Sequence, residues 1–593
     1  MKKTLFLFII TSLIIVSCTT TSDKNYYIPG LNDTTLHKIQ DLINAGNPFQ
    51  AIQDLSYLYR ENRGIPNDQL DNLYKRSSEE ISRRFLEAID KKDFLRAHSI
   101  FQSAGTLGIL KNLLPWNEHE IYKALADKYY NEGKMIPALL VFLKVIETGT
   151  PSHAEFKKYG DLALQEENQF ALKKITAAME KTGLPVLEDY KQLVNRNPPP
   201  SDMMKGTVTI WVNKGIKVEQ GVGYPDRVIG SGFFIDKRGY LITNHHIIDS
   251  EVNPKYEGYS RLYIRLSNSK ADRLPAKVVG YDQIFDIALI KIEVDAPYIF
   301  SLNDKEDFLP GEKIYAIGSP AGLENTITSG IISATRRRFL QMGDAMQVDV
   351  PVNPGNSGGP LLNDNGELVG VVFAGLEQFE GINFAIPAHW VSTILPDLYL
   401  TDEVKHSWLG LAVHEENNGL EIMYVVPGEP AQRGGLKEGD IILSINGKKL
   451  TTIRDMQQYL LSYRPDSLVE LQWTRNGEEY SSFFNLTVRP YRPMDVAIKR
   501  DVRNKLFLPL FGLKLEVAGR SFLSQNYTVT KVYRGSIADE SGISINDPLS
   551  IQDWKVDEEN RYAILQLNIK KRKAGYLQNI IQIAAYLEVD FFI

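Results

Sequence analysis

The sequence predicts a chain of several folds in series: an all-α front, an all-β middle of the barrel kind, and two smaller modules behind it. Three observations predict this. From about Leu31 to Asn195 apolar residues recur at three and four positions while Gly and Pro are sparse, which is the period of amphipathic helices. After Gly206 the period drops to two, starting with Thr207-Val208-Thr209-Ile210-Trp211-Val212, and short β-branched runs alternate with Gly, Asp and Asn turns as far as about Pro387. Further back, a Gly-Asp turn between short strands occurs at Gly439-Asp440 and is echoed around Asn546-Asp547. A length of 593 residues leaves room for roughly three to five domains.

Composition narrows the function classes. A net charge of -6 on so long a chain gives no global reason to bind nucleic acid or an acidic membrane surface. Hydrophobic and charged fractions of 43% and 24% exclude wholesale disorder and a multispanning membrane protein. The single cysteine excludes an internal disulfide framework and any cysteine-based metal cluster. Met1-Lys2-Lys3 followed by an apolar run from Leu5 to Val16 makes a secretory signal, too short for the roughly 20 residues of a spanning helix. Ile15-Val16-Ser17-Cys18 resembles a bacterial lipobox, which implies a signal peptide over 1–17, lipidation of Cys18 and a polar tether over 18–29. The resulting expectation is a membrane-anchored lipoprotein of the bacterial envelope, on its periplasmic or surface side.

Residues 30–197 carry a weak self-similarity. Gly46-Asn47-Pro48-Phe49-Gln50-Ala51, Lys92-Asp93-Phe94-Leu95-Arg96-Ala97 and Gly133-Lys134-Met135-Ile136-Pro137-Ala138 each set a tight turn before a large apolar residue and a small alanine. Tetratricopeptide-like (TPR-like) hairpins stack in this way, because alanine lets helices approach. The spacings, 46 and then 41 residues, miss the period of about 34, so an unrelated helical bundle stays open. Either reading makes this region a docking or spacing module, with His37, His98, His119 and His153 as surface or packing residues. The prolines of 198–206 then predict a stiff extended linker.

The middle domain, 207–400, carries the chemistry. His245-His246 follow Gly239-Tyr240-Leu241-Ile242-Thr243-Asn244, Asp286 sits in Phe285-Asp286-Ile287-Ala288-Leu289, and Ser357 sits in Gly355-Asn356-Ser357-Gly358-Gly359. The order His, Asp, Ser is that of the two-barrel chymotrypsin type. A serine hydroxyl needs an adjacent base to attack, histidine can take and return that proton, and a carboxylate fixes the imidazole's tautomer. Apolar neighbours around Asp286 mean its carboxylate needs a partner. The glycines around Ser357 let the amides of Gly355 and Ser357 turn toward a developing oxyanion.

These segments resemble the HtrA (Deg) family of serine proteases. The family pattern is Gly-Ser-Gly before the first strand (Gly230-Ser231-Gly232), Thr-Asn-X-His at the histidine, Asp-X-Ala-Leu at the aspartate and Gly-Asn-Ser-Gly-Gly at the serine. Ala316-Ile317-Gly318-Ser319-Pro320, Thr328 to Ser333 and Asn383 to Pro387 match further segments. The resemblance covers about Met203 to Pro490 and implies a chymotrypsin-like double β-barrel protease. Its motif assigns the base to His246, with Asp286 and Ser357 completing a catalytic triad and Gly355, Asn356 and Ser357 forming the oxyanion hole. His245 is left a surface or hydrogen-bonding role, since neighbours on an extended strand face opposite ways. No acidic residue occurs in Pro351-Val352-Asn353-Pro354-Gly355, so small or medium apolar side chains are expected before the cut bond. Arg336-Arg337-Arg338 reads as a solvated turn, or else a contact to an acidic partner or a neighbouring subunit.

Residues 404–490 resemble an HtrA-type PDZ domain, through Ser407-Trp408-Leu409-Gly410-Leu411 and Gly435 to Gly447. The amides at Leu409, Gly410 and Leu411 can grip a terminal carboxylate while the peptide adds as a strand. Residues 505–593 read as a degenerate PDZ-like domain whose tail, from Lys570, departs from the pattern. The resemblance implies unfolded or misfolded protein substrates, recognition of peptide C-termini, a trimer or larger homo-oligomer, and no metal or other cofactor; nucleic acid is not an expected partner. A silent envelope scaffold or holdase chaperone, and a regulatory protease with one signalling substrate, are the rival readings.

Overall fold

The computed structural model describes residues 32–62, 67–267, 273–319, 326–338, 340–353, 355–375, 382–520, 525–571 and 577–593. The expected signal peptide, the tether and Cys18 lie outside the described residues, as do Pro320 and Pro354 of the quoted motifs. No helix among the described residues is long and apolar enough to cross a membrane.

The front is helical, from Asp33–Asn44 to Glu188–Val194, and each α-helix packs on the next. Three turns legible in the sequence place Gly46, Lys92 and Gly133 in left-handed backbone (φ 76°, 55° and 75°), and the alanines Ala51, Ala97 and Ala138 that follow are fully buried. A fourth turn of the same build was missed. It uses Glu167 (φ 51°), with the Asn168 side chain accepting from the Ala171 N–H at 2.9 Å and Ala171 fully buried. Its alanine stands four positions after the left-handed residue, where Ala51, Ala97 and Ala138 stand five after theirs, and that offset hid it. The interval from 133 to 167 is 34 residues.

This front docks onto the rest of the same chain. Gln53 Nε2 donates to Pro430 O (2.7 Å), and Gln53 Oε1 accepts from the Asn485 N–H (2.8 Å). Asp54, fully buried beside Gln53, pairs with Arg433 at 3.0 Å; burial raises its pKa and the Arg433 charge opposes that rise. Lys173 reaches Glu367 of the middle domain at 2.8 Å. The linker is also docked, and it is not wholly extended. Pro200–Lys205 is a short helix with proline in its first turn, where the missing N–H would be unpaired anyway. Its Met203 is buried against Gly366.

The middle domain holds two sheets. The first comprises β1 (Thr207–Glu219), β2 (Val222–Asp236), β3 (Tyr240–Thr243), β4 (Arg261–Leu266), β5 (Leu274–Pro275), β6 (Lys277–Asp282) and β7 (Ile287–Lys291), in the order β5-β4-β1-β2-β3-β7-β6. The second comprises β8 (Lys313–Gly318), β9 (Thr326–Arg337), β10 (Ala345–Val348), β11 (Pro360–Leu362), β12 (Leu368–Gly375) and β13 (Asn383–Pro387), closed as β10-β13-β12-β11-β8-β9. Each has its own core of inward-facing residues: Val208, Ile210, Phe234 and Ile290 in the first, Ile314, Val348, Leu361 and Val372 in the second. The helix Ala388–Leu398 follows β13. It runs past Pro396, a residue that ordinarily breaks a helix, because Leu395 and Leu398 are both buried and their packing outweighs one lost backbone bond.

Behind it lie two antiparallel modules. The first is the sheet of Leu411–Glu416, Gly419–Val425, Ile441–Ile445, Leu468–Arg475 and Glu478–Asn485, with the helix Ile453–Leu461 started by a Thr452–Asp455 capping box. The second is the five-stranded sheet from Leu513–Arg520 to Leu577–Tyr586. Its core takes in Met494 and Ala497, upstream of the expected start at 505.

Candidate active site

The histidine pair opens a helix. His245–Val252 is α-helical, not the extended strand expected for the histidine pair, so His245 and His246 diverge by helical rotation. His245 is buried, its ring 5.2 Å from that of Tyr281, and burial lowers its pKa against the pull of Asp286. His246 is half-exposed.

Asn244, the residue before the helix, makes no side-chain cap. Asp286 takes over that function. Its Oδ1 accepts from the His246 N–H (2.8 Å) and its Oδ2 pairs with His246 Nδ1 (2.7 Å). Its carbonyl accepts from the His245 N–H (3.1 Å) and Asn244 Nδ2 (2.9 Å). A carboxylate at a helix start is favoured by the N–H groups there. Asp286 precedes β7 rather than lying in it, and its backbone is left-handed (φ 55°). Such strain in a non-glycine residue persists only where surrounding contacts impose it, and these four do. Burial opposes charging of His246, but the Asp286 charge and hydrogen bond outweigh it, so the His246 pKa is raised.

The Ser357 turn is held by β2. The Ser231 N–H donates to Ser357 O (2.8 Å), Ser231 Oγ donates to Gly355 O (2.6 Å), and Ser231 O accepts from Thr243 Oγ1 (2.8 Å). Ser231 therefore joins the serine turn to the end of β3, three residues before His246. Sequence reasoning quoted Ser231 only as part of a motif; its position between two glycines was the available signal. Gly358 (φ 83°) fits this junction because it has no Cβ, which would lie 2.2 Å from Ser231 O and 2.5 Å from Thr243 Oγ1. Gly358→Ala is expected to cost about 2 kcal/mol or more through left-handed strain and this clash, read as a lowered thermal midpoint together with reduced activity in the folded fraction.

Ser357 Oγ is partly buried and donates to Phe373 O at 3.4 Å. Among the described residues, the N–H groups of Gly355 and Ser357 make no hydrogen bond, while the Asn356 N–H is engaged by Asn353 O at 3.0 Å. Of the three residues expected in the oxyanion hole, Gly355 and Ser357 thus have amides to offer and Asn356 does not. Arg336, Arg337 and Arg338 are exposed, as expected of a solvated segment, but they lie at the end of β9 and contact Asp307 (3.1 Å), Gln347 (3.0 Å) and Asp590 (2.8 Å) of the same chain.

In the first rear module, the N–H groups of Gly410 and Leu411 point to one acceptor, and Gly410 is left-handed (φ 81°). Leu409 presents its carbonyl to the Ala431 N–H at 2.8 Å.

Comparison with known proteins places these features. Residues 230–371 match the trypsin-like peptidase domain, residues 407–483 the PDZ domain, residues 494–587 the TP0546 family PDZ domain, and residues 32–125 a domain of unknown function. A probable periplasmic serine endoprotease, DegP-like, of Marinomonas sp. is 33% identical over 344 residues, covering 55% of this chain and 71% of the relative. One of the same description from Hahella chejuensis is 31% identical over 343 residues, covering 54% and 71%. A solved structure, the HtrA-type protease AlgW with decapeptide, aligns with 49% of this chain and 97% of its own at 26% identity, with a TM-score of 0.43. By its match to the two DegP-like relatives, and with a trypsin-like peptidase domain followed by PDZ domains, the chain belongs to the DegP-like family of serine endoproteases.

Proposed function

We propose that this chain hydrolyses peptide bonds of unfolded or misfolded proteins in the bacterial envelope, with Ser357 as nucleophile, His246 as general base and then acid, and Asp286 as the group that orients it. The observation that carries this reading is the Asp286–His246 pair, two bonds of 2.8 and 2.7 Å, beside a serine turn with two amides uncommitted among the described residues. His246 Nδ1, hydrogen-bonded to the carboxylate, leaves Nε2 as the proton acceptor. The amides of Gly355 and Ser357 receive the oxyanion. Phe373, whose carbonyl accepts from Ser357 Oγ at 3.4 Å, and Phe384, its ring 6.4 Å from that of Phe373, support an apolar preference for the residue before the cut bond. Periplasmic naming of the relatives supports the envelope location.

Finer features belong to the same reading. Cys18 is lipidated after removal of a signal peptide and anchors the chain to a membrane. The helical front is a TPR-like array, supported by four turns of one build and a last interval of 34 residues. Leu409, Gly410 and Leu411 receive peptide C-termini, and the working unit is a homo-oligomer, a trimer or larger.

A fluorophosphonate probe tests the central claim. Labelling of the folded chain that vanishes in Ser357→Ala is expected; no labelling between about pH 6 and 9 supports a scaffold instead. Digestion of a denatured-protein mixture separates broad quality control from a single signalling substrate. The pH profile adds an independent check. Because Asp286 raises the His246 pKa, the acid limb of kcat/KM is expected above 6.5, and hydrolysis should rise as His246 loses its proton. Stability moves oppositely: the pair's contribution to folding is full below the unfolded pKa near 6.5 and is lost as pH rises through the higher folded value.

A further inference from the structure

The peptide groove of the first PDZ module is filled by another part of this chain. The N–H groups of Gly410 and Leu411 donate to Ile593 O at 2.9 and 3.1 Å. The Ile593 N–H donates to Leu411 O (2.8 Å) and the Val413 N–H to Phe591 O (3.1 Å), so Phe592 stands opposite Ala412 as an antiparallel partner. Ile593 is fully buried in the cluster that holds Leu409, Leu411, Met456 and Leu460. Phe592 points the other way, into the core shared with the second module, its ring 6.3 Å from Tyr424. Side chains alternating between two cores are what an added β-strand requires.

The residue before these three is held from two sides. The Asp590 carboxylate pairs with the Arg338 guanidinium, which arrives from the end of β9, with Nη2 to Oδ1 at 2.8 Å. Asp590 O accepts from Gln457 Nε2 at 2.7 Å, and Gln457 Oε1 accepts from the Gly343 N–H at 3.0 Å. Gln457 is buried, so one side chain of the groove helix joins this segment to the protease domain.

We propose that Asp590–Ile593 is the resident ligand of this groove, and that a partner's C-terminus enters only by displacing it. The fitting partner is a peptide whose last residue is aliphatic with a free carboxylate, with an aromatic residue two positions before it and an acid three before it. The proposal rests on the reading of Leu409, Gly410 and Leu411 as a carboxylate-binding loop. A tethered ligand competes at an effective concentration of ~1 mM, so with an intrinsic Kd of ~10 μM for the tail itself, an incoming peptide binds roughly 100-fold more weakly while the tail is seated.

The test uses the full chain carrying Ser357→Ala, which leaves a peptide uncut, and a fluorescein-labelled decapeptide ending Asp-Phe-Phe-Ile. Fluorescence anisotropy is read for three chains: one ending at Ile593, one with Gly-Ser-Gly appended after Ile593, and one with Ile593→Asp. At least a tenfold gain in affinity is expected in both altered chains. Equal affinity in all three overturns the self-ligand and leaves the groove a peptide site. No binding by any chain, each folded by near-UV circular dichroism, overturns the groove reading and the proposal with it. A second measurement needs no substitution in the tail. Saturating peptide should speed hydrogen exchange at the Ile593 amide, which otherwise bonds to Leu411 O. Unchanged exchange with the peptide bound also overturns the proposal.

Discussion

Replacing Ser357 with alanine is expected to lower kcat for peptide hydrolysis by about 10⁶-fold, the size of loss seen when a serine protease of another fold loses its nucleophile. The whole effect falls on chemistry. The Ser357 hydroxyl makes one long bond, 3.4 Å to Phe373 O, so its removal costs about 1 kcal/mol of stability or less. The backbone of the turn is held independently, through Ser357 O to the Ser231 N–H and Gly355 O to Ser231 Oγ. Gly355 and Ser357 amides therefore stay in place, and a residual rate of about 10³–10⁴ over water is expected from them and from substrate binding. Burst and steady-state kinetics on a fluorogenic peptide, beside a thermal melt, read both quantities. A variant that keeps more than a tenth of the parent kcat with an unchanged melt contradicts the assignment of Ser357.

The parts legible in the sequence are those written in consecutive residues. His246, Asp286 and Ser357 could be singled out because each sits in a short segment that resembles a family motif. The change from helical to alternating period located the domain boundary near Gly206. What escaped was decided by partners far along the chain. Asp590 and Arg338 are separated by 252 positions, and Gln53 and Pro430 by 377, and no local pattern announces either contact. Ile593 looked like the end of a degenerate module, yet its side chain belongs to the core of the module before it. The histidine pair was expected on an extended strand; Asp286 supplies the helix start with an acceptor from 40 positions away, which no local pattern announces. The fourth helical turn escaped for the opposite reason. Glu167 and Asn168 build it as Lys92 and Asp93 build theirs, but Ala171 falls one position earlier than the other alanines, so the aligned pattern passes over it.

Asp286→Asn is expected to cost about 10⁴-fold in kcat, as the equivalent change does in a trypsin-like enzyme, while leaving the fold intact. Asparagine tolerates left-handed backbone better than most residues, so φ 55° is retained, and its Oδ1 can still accept from the His246 N–H. The other contact changes sign. An Nδ2 donor now faces His246 Nδ1 where an acceptor stood, which turns Nδ1 into the acceptor and puts the imidazole proton on Nε2, the atom that must receive the serine proton. The charge is lost as well. It is what lifts the His246 pKa against burial, so the remaining activity should show its acid limb displaced to lower pH. Asp286→Ala separates the two roles. It strips the N–H of His246 of its acceptor and leaves a residue poorly suited to left-handed backbone, so it should lower the thermal midpoint as well as the rate. A pH profile of kcat/KM for Asp286→Asn with its limb unmoved, or a loss smaller than about 10²-fold, contradicts the role given to this carboxylate.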